Sequence, residues 1–421
     1  MHQKTCNGSH NLCIKQMKLI LLIDISTWKG HHRIYFQKVL LALLQQGFYV
    51  YASCEDNVNL NKWIRELNLQ NCQVLDSNLS LIDKSIFKIL SFIDSICLKL
   101  YPNTYVQYAS IVSLLYTKNL LKQIGQQTPI FFTHADSAIP SVPSWFAKLL
   151  LPTQWLALYI QPSFQAQISW GKRKSRQRFL AEQLFSLPSC KGVLLLHPVY
   201  TRFFRLRFQQ DKFFLLPEIV DVAVNPSSKI ADRIKVLANN RKIISITGSL
   251  LPKRNLELFL QSVQKLNPNK YFILVIGHLN PPNYTEEELK RINELASNLF
   301  NNSYIRFDYY IEKEEEFNQL LEISDVIYLQ YLNHSHSSNI LAKCIKLKKP
   351  VIVGSGYIMQ KIINAYNWQS IVPEKVEQIS ESIINLINHF EVDKVKYELF
   401  LMDYSEERFN LAIQKSTKML I

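Results

Sequence analysis

IISITGSLLPKRN, residues Ile243–Asn255, is the stretch from which the fold is read. Ile243–Thr247 is a short apolar run of strand length. Gly248–Asn255 is a loop, and Leu256–Leu266 carries apolar residues at helical spacing. A second run, YFILVIG at Tyr271–Gly277, follows. Strand, loop, helix and strand in that order make the repeating unit of a parallel sheet. Downstream the alternation continues. A helix is expected at Glu286–Leu299, a strand at Tyr304–Ile311 and an acidic helix at Glu312–Ile323. Asp325–Leu332 reads as a strand, Asn339–Leu347 as a helix and Pro350–Gly354 as a strand. Helices near Ile358–Tyr366 and Val376–His389 close the series.

Upstream the same grammar is present but less regular. KLILLID (Lys18–Asp24) reads as a strand, Ile34–Gln46 as a helix stopped by Gly47, and Phe48–Ala52 as a second strand. Residues 60–125 look mainly helical; Pro129–Thr133, Gly192–Leu196 and Phe213–Leu216 are further strands. The fold class is therefore α/β, with two Rossmann-like, doubly wound parallel-sheet domains. The expected boundaries are 17–216 for the first domain and 229–404 for the second. A linker over 217–228, rich in proline and polar residues, joins them, and a helix over 405–421 ends the chain. Residues 1–16 are polar and are expected either to be disordered or to precede a true start at Met17.

A chain of 421 residues with 48% hydrophobic residues can bury two cores. Seven cysteines without a C-x-x-C fit neither a disulfide framework nor a zinc ribbon, and point to a reducing, cytoplasmic setting. The net charge of +14 is one-sided: residues 1–215 hold 24 Lys and Arg against 10 Asp and Glu, and the rest is formally neutral. Its densest cluster is Lys172, Arg173, Lys174, Arg176 and Arg178. The charge either serves solubility or meets anions: phospholipid headgroups, a pyrophosphate-linked acceptor or nucleic acid. Leu81–Leu100 approaches the length of a membrane span but is interrupted by Asp83, Lys84, Lys88, Asp94 and Lys99. It reads as an amphipathic or core helix.

In a parallel sheet ligands bind beyond the carboxyl ends of the strands, so chemistry is sought in the loops there. Gly248-Ser249-Leu250-Leu251-Pro252-Lys253-Arg254 sets two cations at a helix start, where they oppose the helix dipole. A bound phosphate would account for them; an ordinary solvated turn is the alternative. Asn333–Asn339 again links a strand to a helix, with Ser337, Ser338 and Asn339 placed either to bind an anion or simply to cap the helix. His334 and His336 lack a third ligand nearby in sequence, so no metal is expected. In Trp28–Arg33, Gly30 allows close backbone approach, and a histidine such as His31 or His32 orients a substrate, moves a proton or caps a helix. His134 and Asp136 suit either acid–base and hydroxyl-positioning work or a structural role. No G-x-S-x-G, Walker A or G-x-G-x-x-G occurs.

Together these loops resemble the GT-B glycosyltransferases of the large retaining, nucleotide-sugar-using group, of the family 4 and family 1 type. The resemblance runs from Met17 onward. Gly248–Asn255 stands where that group has a G-R-L-x-x-x-K-G diphosphate loop, with Arg254 at the lysine position, Ser249 for the arginine and Asn255 for the glycine. The group's Glu-x7-Glu positions, counted back from Pro350, are Ser335 and Lys343. A bacterial subgroup with a G-H-H opening and an S-S-G donor loop is closer. Here Gly30-His31-His32-Arg33-Ile34-Tyr35-Phe36, Pro152–Tyr159 and Ser337-Ser338-Asn339-Ile340-Leu341 are similar to it.

The resemblance implies two domains facing across a cleft. It implies glycosyl transfer from a nucleotide-diphosphate sugar to a polysaccharide or lipid-linked acceptor, with retention and without a cofactor. Gly248, Ser249, Lys253, Arg254, Ser337, Ser338 and Asn339 would hold the donor diphosphate, with the base near Tyr309 and Tyr310. His31, His134 and Asp136 would be catalytic. Gly30, His32 and the 172–178 cations would face the acceptor or the anionic inner membrane surface, with Trp145, Phe146 and Leu149–Leu151 as apolar company. Arg254, being in a loop, is expected to matter little for stability. A non-catalytic scaffold of the same fold is the alternative. Nucleic acid is not an expected partner, since no recognition motif occurs.

Overall fold

The computed structural model describes residues 18–25, 31–76, 81–100, 111–151, 153–164, 172–224, 228–299, 302–332, 338–354, 358–371 and 375–420. The chain forms two compact units, one of residues up to Ile219 together with Ser405 onward, the other Val220–Tyr404.

The first unit is a seven-stranded parallel sheet. Its strands are β1 (Lys18–Asp24), β2 (Phe48–Cys54), β3 (Cys72–Val74), β4 (Ile130–Phe132), β5 (Trp155–Tyr159), β6 (Cys190–Leu195) and β7 (Phe213–Leu215), in the order β3-β2-β1-β4-β5-β6-β7. The central strands are buried on both faces, which is why β1 and β5 read as continuous apolar runs rather than alternating ones. The helix Glu406–Thr417 joins this unit: Phe409, Ala412 and Ile413 enter the same core as Ile20, Leu22, Phe36 and Val39.

The second unit is a six-stranded parallel sheet. It comprises β8 (Lys242–Thr247), β9 (Tyr271–Ile276), β10 (Ser303–Arg306), β11 (Val326–Leu329), β12 (Val351–Val353) and β13 (Ser370–Ile371), in the order β10-β9-β8-β11-β12-β13. Side chains of successive strand residues point to opposite faces. Ile273 and Val275 of β9 accordingly enter one core while Phe272, Leu274 and Ile276 enter the other.

The α/β class with two doubly wound sheets is as expected. The pattern reading did not find β3, β5 or β13. The Tyr304–Ile311 run is a strand only as far as Arg306, and Tyr309 and Tyr310 lie in the loop beyond it. In each sheet the strand order reverses once, between β1 and β4 and between β8 and β11. Connections on either side of such a point diverge and leave a crevice at the carboxyl ends. These two crevices position the residues that follow.

Candidate functional site

At the reversal point of the first sheet, Asp24 ends β1 and is 2% exposed. Its Oδ2 lies 3.3 Å from His32 Nδ1 and accepts a hydrogen bond of 3.3 Å from Thr133 Oγ1. The His32 and His134 rings pack with centroids 3.8 Å apart, and His134 Nδ1 is 3.1 Å from Ser137 Oγ. Burial disfavours the imidazolium, and the His134 pKa falls below its ordinary value despite the nearby Asp136 carboxylate. A carboxylate, two imidazoles and a hydroxyl thus meet beyond β1 and β4, a grouping able to orient a hydroxyl and move a proton.

Asp136 does other work. Its Oδ2 accepts the Ile160 N–H, and its Oδ1 accepts the Gln161 N–H and the Arg178 Nη1 donor. Burial alone would raise its pKa, but Arg178, His134 and the two backbone donors outweigh it and leave the carboxyl lowered. Its oxygens are taken up in locking the β5 exit to Arg178. These bonds are those of the structural role that the sequence left open for Asp136 beside acid–base work. They correct the placing of Arg178 on an open cationic surface: its side chain is 14% exposed and it further donates to Gln161 O and Oε1. Arg176 is exposed. Of the apolar residues expected beside the cluster, Trp145 is exposed and Leu151 is buried.

In the second sheet, Gly248 leaves β8 with φ +98°, a conformation open to glycine. The turn Pro252–Arg254 follows, and the helix Leu256–Val263 begins. Arg254 is buried, at 3% exposure. It donates from Nη1 to Tyr331 Oη (2.7 Å) and from Nη2 to Thr247 O (3.1 Å), with its guanidinium 4.8 Å from the Tyr331 ring centre. No carboxylate pairs with it among the described residues, and Arg254 Nε and Thr247 Oγ1 are buried without a partner there. A buried, twice-bonded guanidinium is not the solvated loop residue on which the expectation of little effect on stability rested. Lys253 lies 5.9 Å from the same ring, and burial lowers its pKa. Ser249 is exposed.

Ser338 precedes the helix Asn339–Lys346 but makes no side-chain cap; its Oγ is 3.5 Å from Tyr331 Oη. The Arg254 loop and this helix start are therefore brought together through Tyr331. Tyr310 is exposed, and Tyr309 donates to Glu316 (3.3 Å) beside Arg306. Gly30 and Ser337 lie outside the described residues, as do the side chains of His31, Lys172, Arg173 and Lys174.

Asp24, Thr133, Tyr331 and Gly277 were not singled out from sequence. Gly277 follows β9, and a Cβ there would stand 1.8 Å from Gly248 O, so only glycine lets the two loops approach. A polar residue closing an apolar strand, as in Ile23-Asp24, was the available signal for the first of them. Lys343, at the second Glu-x7-Glu position, is also buried. Its ammonium donates to Glu314 and to Asn318 Oδ1.

Two α/β units with these crevices define a two-domain GT-B fold, and solved structures agree. A glycosyltransferase from Rickettsia africae ESF-5 aligns over 96% of this chain and 98% of its own at TM-score 0.62 and 13% identity. Sucrose-phosphate synthase from Thermosynechococcus elongatus aligns over 96% and 99% at TM-score 0.65 and 13% identity. Anabaena HepE, solved in complex with UDP and glucose, aligns over 95% and 99% at TM-score 0.60 and 11% identity. At these identities the likeness is one of fold. Within the chain, residues 228–394 match the family model "Glycosyl transferases group 1". No curated protein matches the chain.

Proposed function

We propose that the chain transfers a glycosyl group from a nucleoside-diphosphate sugar to a polysaccharide or lipid-linked glycan, with retention at the transferred carbon. The observation that carries this reading is Arg254: a buried guanidinium held by a phenol and a carbonyl, with no carboxylate among the described residues. Burying a charge without a counter-charge is costly, and a bound diphosphate would supply one. Lys253 and the helix start at Ser338–Asn339 add donors and positive potential beside it. As the glycosyl bond breaks, these groups would stabilise charge growing on the departing diphosphate, without need of a metal or other cofactor. The match over 228–394 supports a donor role for this unit.

Tyr309 and Tyr310 would flank the base. In the first unit, Asp24, His32 and His134 would position the acceptor hydroxyl, with Asp136 acting through Arg178 and the β5 exit. Retention rests on the resemblance alone. The basic charge of residues 1–215 favours an anionic acceptor presented at the inner membrane surface.

Thermal denaturation against nucleoside diphosphates and their sugars tests the reading. At least one pair should raise the melting temperature, and that sugar should then be transferred or hydrolysed. No stabilisation by any of them overturns it. A second reading, a non-catalytic scaffold that keeps the fold, is favoured by Lys343, buried where the resembling group has a glutamate. Tight donor binding with neither transfer nor hydrolysis would select it.

A further inference from the structure

The helix Leu81–Leu100 takes no part in either crevice as described. Ile89, Phe92, Ile93 and Ile96 follow the i, i+3, i+4, i+7 spacing that aligns side chains along one face of a helix. In a soluble unit such a stripe normally faces a core, as Ile379, Ile383 and Leu386 do in the helix Val376–His389. Here it faces outward: the four are 59%, 66%, 37% and 40% exposed. The helix packs beside Val112–Ile124, so it is part of the first unit, and its apolar ridge is turned away from the core.

Charge is distributed around the ridge unevenly. At 3.6 residues per turn, Lys88 and Lys99 fall within about 40° of Phe92, along one edge. Both are exposed. Asp94 falls about 100° beyond Ile93, away from the ridge. The adjoining helix exposes Lys118 and Lys122, one turn apart. No helix among the described residues is long and apolar enough to cross a membrane. An outward ridge edged by lysines, on a helix of low net charge, has the make-up of an element that lies in a bilayer interface. A second copy of the chain fits less well, because the first unit of each copy carries the whole +14 and the two would set lysine edges against each other.

We propose that Leu81–Leu100 is a membrane-surface anchor. Ile89, Phe92, Ile93 and Ile96 enter the headgroup–acyl boundary of an anionic bilayer, and Lys88 and Lys99 lie against lipid phosphates. The inference stands whether or not the chain transfers sugar, and it moves the membrane contact away from the 172–178 cluster.

Co-sedimentation of the full chain with phosphatidylcholine vesicles, with and without phosphatidylglycerol, tests it. Wild type should bind the anionic vesicles and release as salt rises. Phe92→Gln with Ile96→Gln should weaken binding about tenfold or more. Lys88→Gln with Lys99→Gln should weaken it about tenfold at low salt and little at high salt. Circular dichroism should match wild type throughout, since these side chains are exposed. Emission from Phe92→Trp should shift to the blue with anionic vesicles only. Equal binding by wild type and the Phe92/Ile96 variant overturns the proposal, as does absence of binding. Loss of binding on neutralising Lys172, Arg173 and Lys174 alone would assign the contact to that cluster instead. A wild-type dimer that the Phe92/Ile96 variant dissolves would show the ridge to be covered by a second copy.

Discussion

Each unit buries guanidinium groups near the carboxyl ends of its strands, and each neutralises them differently. In the first unit Arg178 meets Asp136, and Arg207 meets Glu182, whose carboxylate also binds Tyr159 and Ser163. Those charges are balanced within the chain. In the second unit Arg254 has a tyrosine ring, a phenol oxygen and a carbonyl, and no acid among the described residues. A cation balanced by its own chain is a brace. One balanced only by dipoles has a place for an anion from outside. Both Arg254 and Arg178 stand beside other cations in the sequence, one in a loop and the other in the helix Lys172–Glu182; the carboxylate partner separates them.

That contrast is broken most directly at the brace. Asp136→Ala strands a buried guanidinium and should cost the first unit about 3–5 kcal/mol, read from chemical denaturation. Unchanged stability would mean that the pair holds nothing together. Next, Arg254→Ala should weaken nucleoside-diphosphate binding by about 1.5–3 kcal/mol in calorimetry. Arg254→Met sharpens the point. It should lower ligand-free stability by less than Arg254→Ala does, because it fills the space without a charge, yet abolish stabilisation by nucleotide. Equal affinity in either variant would place the anion elsewhere.

Gly277→Ala should cost about 1–3 kcal/mol, since the new methyl meets the Gly248 carbonyl and the loop after β8 must shift. Donor binding should suffer with it, while vesicle binding should not. Normal binding with normal stability would show the approach of the two loops to be dispensable.

The smallest effect is in the pH profile. The His134 pKa is lowered in the folded state by burial, so on acidification the unfolded chain takes up that proton first. Its contribution is complete above an ordinary histidine pKa of about 6.5 and is lost as pH falls below it, at no more than about 1.4 kcal/mol per pH unit. Asp136 has the opposite logic but the same direction. Its lowered pKa stabilises the fold above the ordinary carboxylate range, and that contribution is lost as pH falls through the folded value. His134→Gln should therefore flatten only the upper window. A profile unchanged near pH 6 would show that His134 is not held neutral.

Much of the fold was legible because buried parallel strands are apolar runs between loops: β1, β8 and β9 needed no more than that. β5 was missed although all five of its residues are buried. WLALY abuts a proline-rich segment, and its first strand residue pairs across to Ile130, which only the assembled sheet shows. β13 has two residues and offers no pattern. For the site, Arg254 was legible as a cation placed against a helix dipole. Arg178 was misread because five cations within seven residues look like a solvated face, while its partner Asp136 lies 42 residues earlier. Gly277 was invisible for a related reason: its constraint comes from Gly248, in the loop after β8.

The return of Glu406–Thr417 to the first unit bears on how the molecule is made. Lys38 pairs with Glu406 at 3.2 Å, Thr417 Oγ1 donates to Gln46 Oε1 at 2.8 Å, and Ile413 is fully buried among residues from the opposite end of the chain. During synthesis the first unit emerges early but lacks its last core segment until all of Val220–Tyr404 has been translated. At roughly 5–20 residues per second that wait is on the order of ten seconds or more. Through that time the pocket for Phe409, Ala412 and Ile413 is open to water or to a chaperone, and the unit made second receives its last segment before the first unit does. The N-terminal half of the sequence is therefore the last part of the protein able to complete its fold.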